Sequence, residues 1–291
     1  MCWIEQSIHG NFPEFDCLVD RLIELALEED LGPGDVTTQA LIPPDRKGAA
    51  QIRAKESLVV AGLPVAHRVF QKLESQVQFF SVALEGQEVT PGSILAQVRG
   101  PLAAILTAER TALNFLMHLS GIATYTRKMV NAVSGFPTTI VDTRKTTPGW
   151  RALEKYAVRV GGAANHRMGL YDGVLIKENH IAAAGSIAEA VAQARRHAPD
   201  NIPVEVEVEN LTEVREALGA GADILLLDNM DPPTLREAVA INRGQAKLEA
   251  SGGVTLTTIR AIAETGVDYI SVGELTKHLR ALDLSMRFTS P

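Results

Sequence analysis

Residues 203–229 read PVEVEVENLTEVREALGAGADILLLDN. Two apolar runs, PVEVEVE and DILLLDN, flank LTEVREALGAG, an amphipathic stretch that ends on glycine. That is the pattern of a strand, a helix and a second strand. The rhythm continues in both directions. TTIVDT and GVLIKE precede this stretch, and KLEASGG and DYISVGE follow it. SIAEAVAQARRHA, PPTLREAVAIN and LTTIRAIAETG supply further helices with Ser, Thr or Pro openers. Six such repeats imply parallel strands joined by right-handed crossovers, hence an α/β barrel or an open α/β sheet. No G-x-G-x-x-G follows any of these runs, which argues against a dinucleotide-binding sheet. A triosephosphate-isomerase-like barrel, or a variant with fewer strands, is the expected architecture.

Residues 1–100 have a different texture. FDCLVDRLIELALEED and GLPVAHRVFQKL read as helices, and QIRAKESLVVAG and SILAQVRG as strands broken by turns such as PGS. An α+β domain with an antiparallel sheet is expected there. Residues 101–134 are helical in pattern, with Leu102, Leu106, Leu113 and Met117 on one stripe and Arg110 inside it. A packed arginine stem with a solvated head would account for Arg110, as would a pocket or partner subunit that needs a positive charge. The expected division is 1–116, an α+β sandwich domain, 117–276, the α/β barrel, and 277–291, a terminal segment.

With 291 residues, 46% hydrophobic and 22% charged, the chain has the composition of a globular protein with a real core. No apolar run is long enough to cross a bilayer, and the N-terminus lacks a signal-peptide pattern, so a cytoplasmic protein with no membrane partner is expected. Cys2 and Cys17 make no metal or disulfide pattern and are read as free thiols, Cys17 partly buried on a helix. The net charge of −7 argues against nucleic acid as a partner. Against that background, residues 142–177 hold seven Lys/Arg and three acids. A local excess of cations in an acidic chain points to a small anionic ligand.

In barrels the chemistry collects at the C-terminal ends of the strands, and each expected strand ends in a polar group. These are Thr143, Arg144 and Lys145; Lys177; the glutamates 205, 207 and 209; Asp228 and Asn229; Ser251, Gly252 and Gly253; and Ser271, Val272 and Gly273. Glu205, Glu207 and Glu209 alternate with valine and so share one face. Three carboxylates would not be tolerated against covering helices, so they belong to the barrel interior or its mouth, with Glu207 the functional candidate. The SGG and SVG triplets on the last two strands suit phosphate binding through close backbone N–H groups. His166 and Arg167 follow a glycine loop and precede the strand that carries Lys177. His180 is read as a loop residue without a role.

EDLGPGDVTT, AERTALNFLMHLSGIAT, DTRKTTPGWR, EKYAVRVGGAANHRMGLYDGVLIKENHI, VEVEN, LLLDNM and ASGGV run in that order over about 28–275. Together they resemble the quinolinate phosphoribosyltransferases, the carboxylating nicotinate-nucleotide pyrophosphorylases. Ala163 stands where a third glycine is expected, and Glu178 where the family often has Asp. The resemblance implies transfer of phosphoribose from phosphoribosyl pyrophosphate to quinolinate, giving nicotinate mononucleotide, pyrophosphate and carbon dioxide. It also implies Mg²⁺, an open barrel of fewer than eight strands, a terminal segment that returns to the first domain, and a homodimer or higher assembly in which Arg110 reaches the neighbouring active site. On this reading Arg144, Arg167 and the partner's Arg110 grip the two carboxylates, helped by His166 and Lys177. Lys145 and Lys177 meet phosphates or the leaving pyrophosphate. Glu207 and Asp228 hold ribose hydroxyls or Mg²⁺, directly or through water. Lys145, Lys177, Glu207 and Asp228 are thus the expected catalytic residues, with Thr143, Ser251, Gly252, Gly253, Ser271, Val272 and Gly273 in substrate binding. The rival readings are a barrel aldolase with Lys177 as Schiff base, a related transferase with another acceptor, and a non-catalytic anion-binding module.

Overall fold

The first third of the chain alternates short strands with amphipathic helices. In the computed structural model, which describes residues 16–199 and 202–289, helices α1 (Asp16–Leu31) and α2 (Val36–Leu41) come first. Asp35 caps α2 by accepting hydrogen bonds from the backbone N–H groups of Thr37 and Thr38. Strands β1 (Lys47–Ala54) and β2 (Leu58–Val59), helix α3 (Leu63–Leu73), strands β3 (Gln78–Ser81), β4 (Glu88–Val89) and β5 (Ile94–Pro101), and the 31-residue helix α4 (Leu102–Ala132) follow. Helix α3 buries Leu63, Val65, Ala66, Val69 and Phe70, the apolar face its sequence period sets out. Cys17 is exposed, against the expectation of partial burial, because it sits in the first turn of α1. Cys2 lies outside the described residues.

The six apolar runs of the second part become strands β6 (Thr139–Val141), β7 (Val174–Ile176), β8 (Val204–Val208), β9 (Ile224–Asp228), β10 (Lys247–Ser251) and β11 (Tyr269–Ser271). They form one sheet in the order β6-β11-β10-β9-β8-β7, and every pairing is parallel. Ile224, Leu225, Leu226 and Leu227 are all buried, as expected of a strand covered on both faces. Between strands run α5 (Arg151–Gly161), α6 (Glu178–Ala184), α7 (Ile187–His197), α8 (Leu211–Gly219), α9 (Pro232–Asn242), α10 (Ile259–Ala263) and α11 (Glu274–Lys277). Ser186, Asn210 and Asp231 cap α7, α8 and α9 with side-chain oxygens that accept from the first-turn N–H groups. Helix α10 is shorter than the stretch 256–266 read as helical. Edge strands β6 and β7 do not pair, so the barrel is open. A single parallel bridge from Val141 to Ala164 extends the β6 edge.

The last strand, β12 (Leu284–Thr289), pairs antiparallel with β1 in a four-stranded sheet of order β12-β1-β5-β3. Two units result. One comprises 128–146 and 163–277, the open barrel. The other takes the described residues up to Arg127, with 147–162 and those from His278 on. Helix α5 belongs to the second unit, so the chain leaves the barrel after β6 and re-enters before β7. Helix α4 buries Ile105, Ala108, Ala112, Leu116 and Leu119, whereas Leu102, Leu106 and Met117 are half-buried and Arg110 is exposed. The expected stripe is therefore not the buried seam, although Leu113 within it is buried.

The approach to Arg280 is close enough to test. A Cβ on Gly121 of α4 would stand 2.2 Å from the Arg280 carbonyl oxygen, and Leu282 donates a backbone hydrogen bond to Met117. Gly121→Ala should cost about 1–3 kcal/mol of stability, read as a lower urea midpoint. An unchanged midpoint would mean that the terminal segment yields freely.

Candidate active site

A cavity of about 450 Å³ opens where the strands of the barrel end. Thr143, Arg144 and Lys145 reach it from the loop after β6, His166 and Arg167 from the segment before β7, and Lys177 from the residue after β7. Glu207 comes from β8, and Asp228 and Asn229 close β9. Ser251 with Gly252 and Gly253 ends β10, and Ser271 ends β11. Gly273 flanks the group: a Cβ there would come within 3.2 Å of the Lys145 side chain. Val272 does not line the cavity. Its side chain is buried and its N–H donates to the Val141 carbonyl, so it has no donor to offer a phosphate. Arg110 lies on α4, in the other unit.

The loop after β6 is fastened from both sides. The Lys145 N–H donates to Thr143 Oγ1, and Thr276 Oγ1 donates to the Lys145 carbonyl at 2.8 Å. Asp142, fully buried, accepts from the His166 N–H at 2.9 Å and from Asn165 Nδ2 at 2.6 Å. The Ala164 N–H donates to the Ile140 carbonyl, so the returning segment runs along β6 for one bridge. The Arg167 N–H then donates to His166 Nδ1 at 2.9 Å, and Arg167 Nη1 donates to the Gly173 carbonyl at 2.8 Å. The Nε of Arg167 is buried with no acceptor among the described residues. Burial and the neighbouring Arg144 guanidinium pull the Arg167 pKa below its ordinary value, against the opposite pull of Glu205 and Asp172. Two guanidiniums that repel across a cavity, one with an unused donor, are set up for an anion.

The three alternating glutamates fare differently. Glu209 is exposed beyond the strand. Glu207 is half-buried and ion-paired with Lys177. Glu205 is fully buried, 3.3 Å from His166 Nε2. Glu249 of β10, which sequence reasoning passed over, is also fully buried, 3.5 Å from the same nitrogen. It could have been found by the argument applied to β8, since KLEAS places an acid inside an apolar strand. Burial raises the pKa of both. For Glu249, pushed up to about 7, Glu205 and Asp142 add to the rise while His166 and Ser271 oppose it. For Glu205, Glu207 adds to the rise while Arg167 and Lys177 oppose it. His180 plays a structural part, because its Nδ1 accepts from the Lys177 N–H at the start of α6.

His166, Glu205 and Glu249 have the composition of a metal site, but the hydrogen bonding argues otherwise. Nδ1 accepts a backbone N–H, so the ring proton sits on Nε2, the atom that would have to ligate. Glu207 and Asp228, carboxylates on adjacent strands at the cavity rim, fit a hard, partly hydrated cation far better.

A folded-state pKa raised above the ordinary carboxylate value makes Glu249 stabilise the fold while protonated. That contribution is full below about pH 4 and is lost as the pH climbs through about 7. Thermal melts from acid to mildly alkaline pH should therefore fall less steeply for Glu249→Gln than for the parent protein. Parallel curves would show that Glu249 keeps its charge in the fold.

Comparison with known proteins supplies the family. The model of the quinolinate phosphoribosyl transferase C-terminal domain matches residues 122–287, and that of the N-terminal domain matches 35–120. A Synechocystis protein named a probable carboxylating nicotinate-nucleotide pyrophosphorylase is 49% identical over 93% of this chain and 92% of its own. A Bacillus subtilis protein of the same name is 46% identical over 92% and 93%. The solved nicotinate-nucleotide pyrophosphorylase of Francisella tularensis superposes with a TM-score of 0.92, at 43% identity, over 97% of this chain and all of that one. The two domain models, end to end, account for the second unit's sheet and the open barrel alike, and the chain belongs to the quinolinate phosphoribosyltransferase family.

Proposed function

We infer that the cavity at the strand ends receives quinolinate and phosphoribosyl pyrophosphate. The enzyme transfers phosphoribose to the pyridine nitrogen and releases pyrophosphate and carbon dioxide, leaving nicotinate mononucleotide for NAD biosynthesis. The observation that carries the assignment of the site is the buried, acceptor-less Nε of Arg167 beside the Arg144 guanidinium. A dicarboxylate supplies the missing acceptor and relieves the repulsion between the two cations. Lys145, exposed at the rim, is placed for the phosphates.

The residues then divide the work. Arg144 and Arg167 orient the pyridine so that its nitrogen faces the sugar. As the C1–oxygen bond breaks, positive charge grows on the ribose, and the carboxylates of Glu207 and Asp228, both lining the cavity, serve to stabilise it. Lys145 and Lys177 stabilise the leaving pyrophosphate. Glu207 and Asp228 would also hold Mg²⁺, which, when bound, offsets the charge of the phosphate oxygens. The quaternised ring accepts the electrons of the scissile C–C bond, so no organic cofactor is required. Lys177 is already ion-paired with Glu207, which occupies its amine and disfavours the Schiff-base alternative.

A homodimer belongs to the same proposal. Leu102, Leu106 and Met117 leave one face of α4 only half-buried, with Arg110 exposed in its midst. In this proposal a second copy covers that face and Arg110 serves the neighbouring cavity. A cytoplasmic location fits a substrate as highly charged as phosphoribosyl pyrophosphate.

Arg167→Lys keeps a positive charge and loses the planar fork. We expect kcat/KM for quinolinate to drop about 100-fold or more, measured as mononucleotide formation, with the melting temperature checked in parallel. Nicotinate, one carboxylate short, should fail as acceptor in the parent enzyme. Equal turnover of nicotinate would overturn the two-carboxylate grip.

A further inference from the structure

The reaction replaces a carbon–carbon bond of the pyridine ring with a carbon–hydrogen bond, so each turnover consumes one proton at a single ring carbon. The groups lining the cavity narrow the source. Arg144 and Arg167 are guanidiniums, acids far too weak to supply it. Lys177 is held by Glu207, and Lys145 stands in solvent. Asp228 acts as an acceptor, taking a hydrogen bond from Asn229 Nδ2 at 2.7 Å.

Glu249 is different. It lines the cavity yet is fully buried, and among the described residues neither of its oxygens has a hydrogen-bond partner at normal geometry; His166 and Ser271 are the neighbours that favour its ionised form. His166 Nε2–H, 3.5 Å from Glu249 and 3.3 Å from Glu205, is one proton facing two buried carboxyl groups. Two anions around one N–H, out of water, would be prohibitively costly. The groups facing Glu249 are Glu205 on β8, His166 on the segment before β7, Asp142 after β6 and Ser271 on β11. Two of these four are themselves acids. The pair therefore keeps an additional proton, and of the two members only Glu249 lines the cavity.

We propose that Glu249 is the general acid that protonates the ring carbon vacated by carbon dioxide. The proposal rests on quinolinate as the acceptor. The bond from ring C2 to its carboxylate breaks, carbon dioxide departs, and the electron pair stays on C2. The Glu249 O–H bond then breaks, its proton forms the new C2–H bond, and the electrons remain on the carboxylate. His166 Nε2–H stabilises that carboxylate until water restores the proton after product leaves.

Glu249→Gln preserves shape and removes the acid. With quinolinate, phosphoribosyl pyrophosphate and Mg²⁺, we expect kcat to fall about 100-fold or more, while the quinolinate Kd by calorimetry stays within about threefold. Glu249→Asp, which keeps the acid on a shorter arm, should recover part of the rate. Turnover in equal parts H₂O and D₂O should give a different hydrogen-to-deuterium ratio at C2 in the Gln variant, where water becomes the donor. Undiminished kcat, loss of quinolinate binding in step with the rate, or an unchanged isotope ratio would each overturn the assignment. Failure of the parent enzyme to turn over quinolinate would instead defeat the acceptor reading itself.

Discussion

The carboxylate of Asp142 accepts hydrogen bonds from the His166 backbone and the Asn165 side chain at the one place where the barrel is not closed by strand pairing. Strands β6 and β7 are both edges, and the chain between them spends residues 147–162 in the other unit. An anion accepting two donors in a buried position forms strong, directional bonds. Those bonds set the path of 164–167, and that path decides where the imidazole of His166 and the guanidinium of Arg167 lie. An edge strand would otherwise offer unpaired backbone groups. Here the Val141–Ala164 bridge and Asp142 satisfy part of that edge and place site residues along it.

The cavity combines two electrostatic regimes. At its mouth, Arg144, Arg167 and Lys145 concentrate positive charge in a chain that is acidic overall. At its floor Glu249, with Glu205 behind it, is an acid whose pKa burial has raised, and burial raises that of Glu205 as well. The two depend on each other, since Arg167 favours the ionised form of Glu205 while Glu205 supports the charge of Arg167. A floor of two full negative charges would have cancelled the field that attracts an anionic substrate. A floor that holds a proton leaves that field in place.

The barrel was legible in the sequence because its parallel strands are written as short, mainly apolar runs at regular intervals between amphipathic helices, and all six were visible. The rim was legible because the strand ends coincide with changes from apolar to polar residues, as at Asp228 and Ser251. Helix α5 was not, because its buried residues include Glu154 and Lys155, both at zero exposure, and charged residues there read as a solvated loop. Glu154 is compensated by His118 Nε2 at 3.1 Å and by the Thr147 N–H, and neither partner can be inferred from spacing. Glu249 escaped for a related reason. One acid in a strand reads as a solvated strand residue until a second acid and a histidine are known to face it. The α4 stripe misled because a period of three and four residues identifies a face without saying which face is buried.

Ala163 shows how the structure resolves a departure that the sequence could only note. Of the three positions in the Gly161–Ala163 run, Gly162 needs its freedom most, with φ of 101° in the left-handed region that ends α5. Gly161 is required for space, since a Cβ there would lie 2.7 Å from the Ala123 carbonyl oxygen and 2.5 Å from Thr126 Cβ. Ala163 carries neither constraint. It is not among the positive-φ residues and is accommodated at 8% exposure. The methyl group therefore adds buried apolar surface without backbone strain, and it narrows the unfolded ensemble relative to glycine. His166 and Arg167 are oriented downstream by Asp142 and by the backbone N–H to Nδ1, so the exchange at 163 leaves the site's geometry to the bonds that already determine it.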